Sequence, residues 1–233
     1  MRWLDALWRR EPALDSGQRA ALEAYRSQEE PDLRVVLAAQ RMVVVDVETS
    51  GLDPFSDRLL SIGAVAVGGG LVRFDESLEV VLQQARPSDT GNILIHGIGG
   101  SAQLGGREPV AGLLDFLTFA GKAPLVGFNV GFDRIVIERA TSSVLGMKPD
   151  NIWLDLAVLL PSLFPPLAPV AHTLDDWTGV FGIDNYSRHD AVADALATAQ
   201  LWLVVMAHAR KEGIKSCADL IRAEKGLRWL GHH

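Results

Sequence analysis

Three apolar segments in the first half of the chain restrict its fold more than any other feature. Residues 42–47, 59–67 and 71–82 each have the length and composition of a β-strand. The run Gly68-Gly69-Gly70 joins the second segment to the third and is typical of a tight hairpin turn. The sequence therefore predicts a sheet that begins with antiparallel strands.

Helical and strand-like segments alternate after this hairpin. The spacing of apolar residues predicts helices at 109–121, 133–145, 156–163, 173–181 and 190–211, a last helix from about residue 216, and short strands at 124–127 and 151–154. Residues 84–108 are rich in Gly, Ser and Pro and are predicted to form an ordered loop. An α/β fold whose sheet ends in parallel strands is the expected result.

The two ends of the chain differ from its centre. Apolar residues recur at helical spacing within residues 3–8, and a second amphipathic stretch follows, with Asp15 or Ser16 as its cap. We therefore divide the chain into a helical N-terminal extension at 1–36, a main domain at 37–210 and a basic C-terminal helix or tail at 211–233.

Composition restricts the environment and the partners. The single cysteine, Cys217, excludes an internal disulfide and a cysteine zinc cluster. The lack of an internal disulfide is typical of cytoplasmic proteins. The sequence shows no uncharged apolar stretch of ~18 residues, so no membrane span is predicted. The net charge is −7, and residues 42–207 hold nine basic and nineteen acidic side chains. A phosphodiester substrate is compatible with this charge if cations make the first contact.

Five polar residues lie in or beside segments that otherwise resemble core elements. They are Asp46, Glu48, Asp133, His189 and Asp194. A carboxylate in a core element costs free energy unless another charge compensates it. Four carboxylates and one imidazole therefore predict a divalent-cation site for metal-assisted hydrolysis, in which the histidine moves the proton.

The positions of the first three acids in the sequence indicate how each could contribute to such a site. Asp46 and Glu48 are two positions apart at the end of a strand, so both side chains point to one face at its carboxyl edge. The alternative is that they cap helices or pair with arginines. Asp133, taken alone, is equally well explained as an acid that interacts with a helix dipole.

His189 and Asp194 can contribute to the same site only if the backbone between them is not a regular helix. His189 and Asp194 are five positions apart, which separates them by ~140° on a regular helix. They converge if His189 precedes the helix that carries Asp194. Asp190 is a competing acid because it shares a helical face with Asp194.

Three motifs in order resemble those of the DEDDh family of 3′→5′ exonucleases, which includes the proofreading epsilon subunit of bacterial DNA polymerase III. They are residues 46–52, 127–133 and 189–195, and the resemblance covers about residues 41–207. Residues 95–98 are also similar to a substrate-loop motif of that family. Phe128 departs from the family pattern, in which histidine is frequent at this position.

The resemblance implies a fold, a metal site and a substrate pocket. The fold is RNase H-like, with a mixed five-stranded sheet flanked by helices. Two divalent cations, Mg²⁺ or Mn²⁺, would be held by Asp46, Glu48, Asp133 and Asp194, and His189 would be the general base. The residues expected to receive the 3′ end of the substrate are Thr49, Leu52, His96 and Asn129.

The implied function is 3′→5′ exonucleolytic hydrolysis of single-stranded or frayed DNA, which releases 5′-mononucleotides. An exoribonuclease or oligoribonuclease that trims RNA is the main alternative, because the five catalytic positions do not distinguish the two substrates. A non-catalytic replisome docking module is a further alternative. Association with a polymerase stays open, since we find no clear clamp motif or polymerase-binding tail.

Overall fold

The computed structural model describes residues 14–185 and 187–230, so the helix expected within residues 3–8 lies outside the described residues. The strands are β1 (Met42–Thr49), β2 (Leu59–Gly68), β3 (Leu71–Val81), β4 (Leu125–Gly127) and β5 (Trp153–Asp155). The helices are α1 (Ser16–Arg26), α2 (Thr90–His96), α3 (Gly100–Leu104), α4 (Pro109–Ala120), α5 (Gly131–Leu145), α6 (Leu156–Leu163), α7 (Leu174–Val180), α8 (Ala191–Lys211) and α9 (Cys217–Leu230).

The strands form one mixed sheet in the order β3-β2-β1-β4-β5. The first three pair antiparallel, whereas β4 pairs parallel to both β1 and β5. Gly69 and Gly70 connect β2 to β3 with φ values of 64° and 75°, the left-handed conformation that a two-residue hairpin turn requires. The expected fold class, RNase H-like with a five-stranded mixed sheet flanked by helices, is confirmed.

The central strand β1 is buried on both faces. Val43 and Val45 point to one face, where they pack in a core with residues of α1, α4 and α5. Met42 and Val44 point to the other face, where they pack with residues of α6 through α9. This two-sided burial explains why the strand is a continuous apolar run without polar alternation.

A glycine in β2 sets the position of α8. Gly63 lies opposite Asp46 in the β1–β2 ladder. A Cβ atom at Gly63 would lie 2.1 Å from the carbonyl carbon of Ala191, so only glycine allows this approach. The N-terminus of α8 therefore lies directly beside the part of β1 that carries Asp46.

The segment 84–108 contains more structure than expected. Our prediction of a loop was incomplete, because α2 and α3 form within it. The buried side chain of Gln103 accepts hydrogen bonds from the backbone N–H and the hydroxyl of Ser88, both at 2.8 Å, and donates to the Ile98 carbonyl at 2.8 Å. These long-range bonds compensate for the low intrinsic stability of such short helices.

The terminal helices pack on the same body. α1 contacts α4, and the Tyr25 hydroxyl donates to Asn151 Oδ1 at 2.8 Å. At the other end, Cys217 and Leu220 of α9 are fully buried in the second core. The division of the chain at residues 36 and 210 stays a prediction.

Among the residues that the structure describes, α8 is long and apolar enough to cross a membrane by length and composition. Half of its 18-residue apolar window is buried inside the fold, and its closest neighbours are β1 and β2. A buried core helix has the same composition, so this helix is weak support for a membrane span. The cytoplasmic location stays a prediction.

Candidate active site

The carboxyl end of β1 carries the first two acids. Asp46 and Glu48 are partly exposed, whereas Val45, which precedes Asp46, and Val47, which lies between the two acids, are buried. The strand extends to Thr49, and a bulge between Glu48 and Thr49 shifts its register with β2. Both carboxylates therefore point out of the same face, as the period of two predicts.

His189 lies before the helix, as convergence with Asp194 requires. Its φ is 62°, and its backbone N–H donates to Asp194 Oδ2 at 3.0 Å. Asp190 caps α8 instead, since its carboxylate accepts from the N–H groups of Val192 and Ala193 at 3.1 and 2.9 Å. The cap engages one carboxylate oxygen of the competing acid, whereas Asp194 is the acid that accepts the backbone N–H of His189.

Three of the predicted site residues form a compact cluster. One potential ligand atom from each of Glu48, His189 and Asp194 lies within 4.8 Å of the other two. Asp194 is 3% exposed, whereas His189 is exposed. A buried acid, a partly exposed acid and an exposed imidazole thus line one side of a site that solvent reaches.

The remaining two acids act electrostatically on this cluster. Burial, followed by repulsion from Asp133, Asp194 and Glu48, raises the pKa of Asp46 well above its ordinary value. Burial and then Asp194 raise the pKa of Glu48 to about 7. Burial also raises the pKa of Asp133 to about 7, although backbone hydrogen bonds oppose the shift. Such mutually repelling carboxylates are typical of a site built to hold cations.

Arg188 is a residue that sequence reasoning missed. Its guanidinium pairs with the Asp194 carboxylate and, at 2.6 Å, with Asp175 Oδ1. The amide of Asn185 donates to the same Asp194 oxygen. The arginine therefore partly neutralises Asp194, and its place next to His189 in the sequence was the available signal.

Asp155 is a second missed residue. It is 4% exposed and caps α6, and it accepts the backbone N–H of Asn129 at 2.9 Å. Asn129 has a φ of 62°, and His189 is the other non-glycine residue with positive φ in the described parts of the chain. Strained backbone of this kind concentrates at functional sites. The buried Asp155 thus supports the loop that leads to Asp133.

The predicted substrate residues have different environments. Leu52 is 93% exposed, and the Thr49 hydroxyl donates to the Gly51 carbonyl at 2.6 Å. His96 is 4% exposed, and its Nδ1 accepts from the Ile98 N–H at 3.0 Å. The structure thus gives His96 a role in holding its own segment, while direct contact of its side chain with substrate stays a prediction.

The loop between β1 and β2 is rigid. The Asp57 carboxylate accepts from the Ser50 hydroxyl at 3.0 Å and from the Asp53 N–H at 2.9 Å. Asn92 of α2 donates to the Ser50 carbonyl, which joins this loop to the segment that contains His96. The exposed Leu52 is therefore presented on a fixed platform.

The chemistry of the donor set fits hard divalent cations. The donors are carboxylate oxygens and one imidazole, without a thiolate, and this set suits Mg²⁺ or Mn²⁺ better than softer metals. The raised pKa values of Glu48 and Asp133, which burial causes in the first place, point the same way, because a bound cation would favour the charged form of each carboxylate.

The raised pKa values make the stability of the metal-free protein depend on pH. The pKa of Glu48 rises from 4.5 and that of Asp133 from 3.8, each to about 7. The folded state therefore holds protons that the unfolded chain releases, so stability falls as pH rises from about 4 to about 7. Solvent screening reduces the contribution of Glu48, so we expect a loss of several kcal/mol, mainly from Asp133, or on the order of 10 °C in Tm, measured in EDTA by thermal unfolding.

A matched variant isolates the contribution of Glu48 to this loss. Burial lowers the pKa of His96, and this group changes stability with the opposite sign. Glu48→Gln should therefore make the fall of Tm with rising pH smaller, while the contribution of His96 is unchanged. The raised pKa values would be contradicted if the wild-type Tm in EDTA did not fall between pH 5 and pH 8 and Glu48→Gln gave the same profile.

Comparison with known proteins agrees with this geometry. The sequence profile of the exonuclease family RNase_T matches residues 43–202. The chain is 30% identical over 186 residues to the DNA polymerase III subunit epsilon of Aquifex aeolicus, covering 79% of this chain and 90% of that one. It is 29% identical over 178 residues to the PolC-type DNA polymerase III of Thermotoga maritima, covering 76% of this chain but 13% of that polymerase.

A solved structure supports the fold. Exonuclease I of E. coli, in complex with a dT13 oligonucleotide, superimposes with a TM-score of 0.62 at 22% identity. The superposition covers 74% of this chain and 42% of that one. The family profile spans well over half of the sequence and includes each of the five predicted catalytic positions. The chain therefore belongs to the exonuclease family.

Proposed function

We propose that this protein is a two-metal-dependent 3′→5′ exonuclease that removes 5′-mononucleotides from single-stranded or frayed DNA. The observation that carries the proposal is the cluster of Glu48, His189 and Asp194, whose ligand atoms lie within 4.8 Å of one another inside an exonuclease-family domain. The whole chain spans a small part of the PolC-type polymerases that it matches, so its own activity and substrate are part of this proposal.

Four carboxylates hold the cations in this proposal: Asp46, Glu48, Asp133 and Asp194. Bound Mg²⁺ or Mn²⁺ supplies activation of the attacking water and neutralisation of the leaving oxygen. Asp46 lies among the other three acids, and their repulsion contributes to its raised pKa, so it is the best candidate for a ligand shared by two cations. A cation held by Asp194 would compete with Arg188, because Arg188 pairs with the same carboxylate.

His189 moves the proton. Its imidazole is exposed and lies beside the carboxylates, and an imidazole nitrogen accepts the proton of the attacking water. The oxygen of water forms a bond to phosphorus, the bond from phosphorus to the 3′ oxygen of the preceding nucleotide breaks, and that oxygen receives a proton. The products are a 5′-mononucleotide and a strand with a new 3′-hydroxyl.

The end of the strand is held by residues around the rigid loop. Leu52 is 93% exposed and packs against the terminal base, while Thr49 approaches the 3′-hydroxyl. Asn129, two residues before α5 begins, lines the same pocket, and His96 holds the neighbouring segment. Apolar and phosphate contacts carry little sequence information, so weak base preference follows.

DNA is the favoured substrate because the relatives are named as DNA polymerase III and its epsilon subunit. The same catalytic groups would also hydrolyse RNA, so an exoribonuclease is the competing assignment. A docking module without activity is disfavoured, because all five catalytic positions are retained. Association with a polymerase stays a prediction.

The preference for unpaired ends follows from the Leu52 contact. A paired 3′ terminus has to unstack before leucine can pack against its base, which costs a few kcal/mol. We therefore expect a mismatched or single-stranded 3′ end to be cut about tenfold faster or more than a paired end. The measurement is a digest of 5′-labelled single-stranded DNA, mismatched duplex, matched duplex and RNA, in Mg²⁺ and in Mn²⁺.

Leu52→Ala is the matched variant for this experiment. It removes the exposed contact with base without altering the metal ligands, so it should lower the rate on every DNA end and narrow the difference between paired and unpaired ends. RNA cut faster than single-stranded DNA would favour the exoribonuclease. Equal rates on paired and mismatched ends would contradict the role of Leu52.

A further inference from the structure

A cavity of about 210 Å³ lies between one end of the β2–β3 strand pair and two helices. The ends of β2 and β3 and the helices α4 and α5 form its walls, and Arg58 and Arg139 both line it. Its described lining contains no acidic side chain and none of the nine proposed site residues. The cavity is therefore a basic site, separate from the acidic candidate active site, in a protein of negative net charge.

Neither arginine forms a direct ion pair with a carboxylate of the described residues, although the charge of Arg139 acts on the exposed carboxylate of Asp53. The Arg58 Nη1 donates to Gln84 Oε1 at 3.2 Å and to the Arg86 carbonyl at 2.7 Å, and Arg139 donates to the Asp57 carbonyl. Within residues 14–185 and 187–230, neither guanidinium has a carboxylate within 4 Å. Both charges thus stay available to an anion.

Arg139 also has an unused donor. Its Nε–H is buried and has no hydrogen-bond partner among the described residues. A buried donor without a partner is costly, more so in a charged group. An anionic ligand that draws on this guanidinium would reduce that cost.

The rest of the lining suits the organic part of a ligand. Leu59 and Val144 contribute apolar surface, and Ser143 is exposed at the cavity. Paired guanidiniums bind phosphate oxygens through several charge-assisted hydrogen bonds, and apolar walls accommodate a sugar or base. We propose that this cavity binds a phosphate group of a nucleotide unit, either a free 5′-mononucleotide or a backbone phosphate of a bound strand.

The test measures binding rather than catalysis. Thymidine 5′-monophosphate and a short oligothymidylate are titrated separately into the full chain in EDTA, at constant ionic strength, by calorimetry. Without cations the carboxylate cluster repels phosphate, so that site does not contribute. Arg58→Gln and Arg139→Gln should each weaken binding about tenfold, whereas Arg73→Gln, which removes an exposed arginine of β3, should leave it unchanged.

A third variant covers the case in which Arg139→Gln fails to fold. Ser143→Trp blocks the cavity from an exposed position and should abolish binding while both arginines remain. If these variants lose binding of the mononucleotide, the ligand is the free nucleotide. If they lose binding of the oligonucleotide alone, the ligand is a backbone phosphate of a bound strand.

Equal affinities in the wild type, Arg58→Gln and Ser143→Trp would overturn the proposal, as would the absence of binding by the wild type. The result is independent of the nuclease assay. A protein without exonuclease activity whose phosphate binding depends on the arginines would refute the proposed function and leave this site in place.

Discussion

Replacement of Asp46 by Asn is expected to reduce kcat/KM on single-stranded DNA by about 10³-fold or more, equivalent to ~4 kcal/mol of transition-state stabilisation. Asp46 lies among the other acids, and its raised pKa reflects burial and their repulsion. An amide neither neutralises nor holds a divalent cation as a carboxylate does. The measurements are turnover of a labelled oligonucleotide and calorimetric titration of Mn²⁺.

Stability separates a catalytic effect of this substitution from a folding effect. Removal of a repelling carboxylate should leave the Tm of the Asn variant in EDTA equal to or above that of wild type, while its gain in Tm on addition of Mn²⁺ should shrink. Asp190→Asn is the matched control, because Asn caps a helix as well as Asp does, and its activity should stay within about threefold of wild type. Wild-type turnover by Asp46→Asn would refute the metal site.

Loss of the His189 imidazole is expected to lower kcat by ~10²–10⁴, the usual contribution of a positioned general base. The residue has a φ of 62°, a conformation that Asn tolerates better than Ala, so His189→Asn removes the imidazole with less backbone strain than His189→Ala. Metal binding should be largely retained in the Asn variant, since four carboxylates remain.

A chemical rescue experiment distinguishes proton transfer from support of the loop. Imidazole added to His189→Asn should restore part of the turnover, whereas it should have no effect on Asp46→Asn. If His189→Asn keeps wild-type turnover at neutral pH, His189 is a structural residue and the base is another group.

The strands β1 and β2 could be predicted because burial on both faces leaves a strong apolar pattern in the sequence. β1 is apolar on both faces, and the glycine turn between β2 and β3 requires positive φ. The helix predicted at 190–211 is present as α8, which begins one residue later because Asp190 is its cap. Helical geometry indicated that His189 and Asp194 could be close only if His189 preceded the helix that carries Asp194. His189 does lie in the turn before α8, where its backbone N–H binds Asp194.

Features that depend on contacts between distant segments could not be predicted. The short helices α2 and α3 are stabilised by buried bonds of Gln103, which no local pattern indicates. The pairing of Arg188 with Asp194 depends on the path of the loop before α8. Gly63 resembled any small residue in a strand, although its contact with Ala191 places α8 beside Asp46.

The polarity and product of cleavage test the central proposal most directly. A linear single-stranded oligonucleotide with a 5′ label, the same oligonucleotide with a blocked 3′ end, and a circular single strand are incubated with the protein and Mn²⁺, with and without excess EDTA. We expect the free linear strand to shorten one nucleotide at a time from its 3′ end with release of 5′-mononucleotides, while the blocked strand reacts poorly, the circle stays intact and EDTA stops the reaction. Early release of the labelled 5′ nucleotide, rapid cleavage of the circle or activity that survives exhaustive chelation would contradict a metal-dependent 3′→5′ exonuclease.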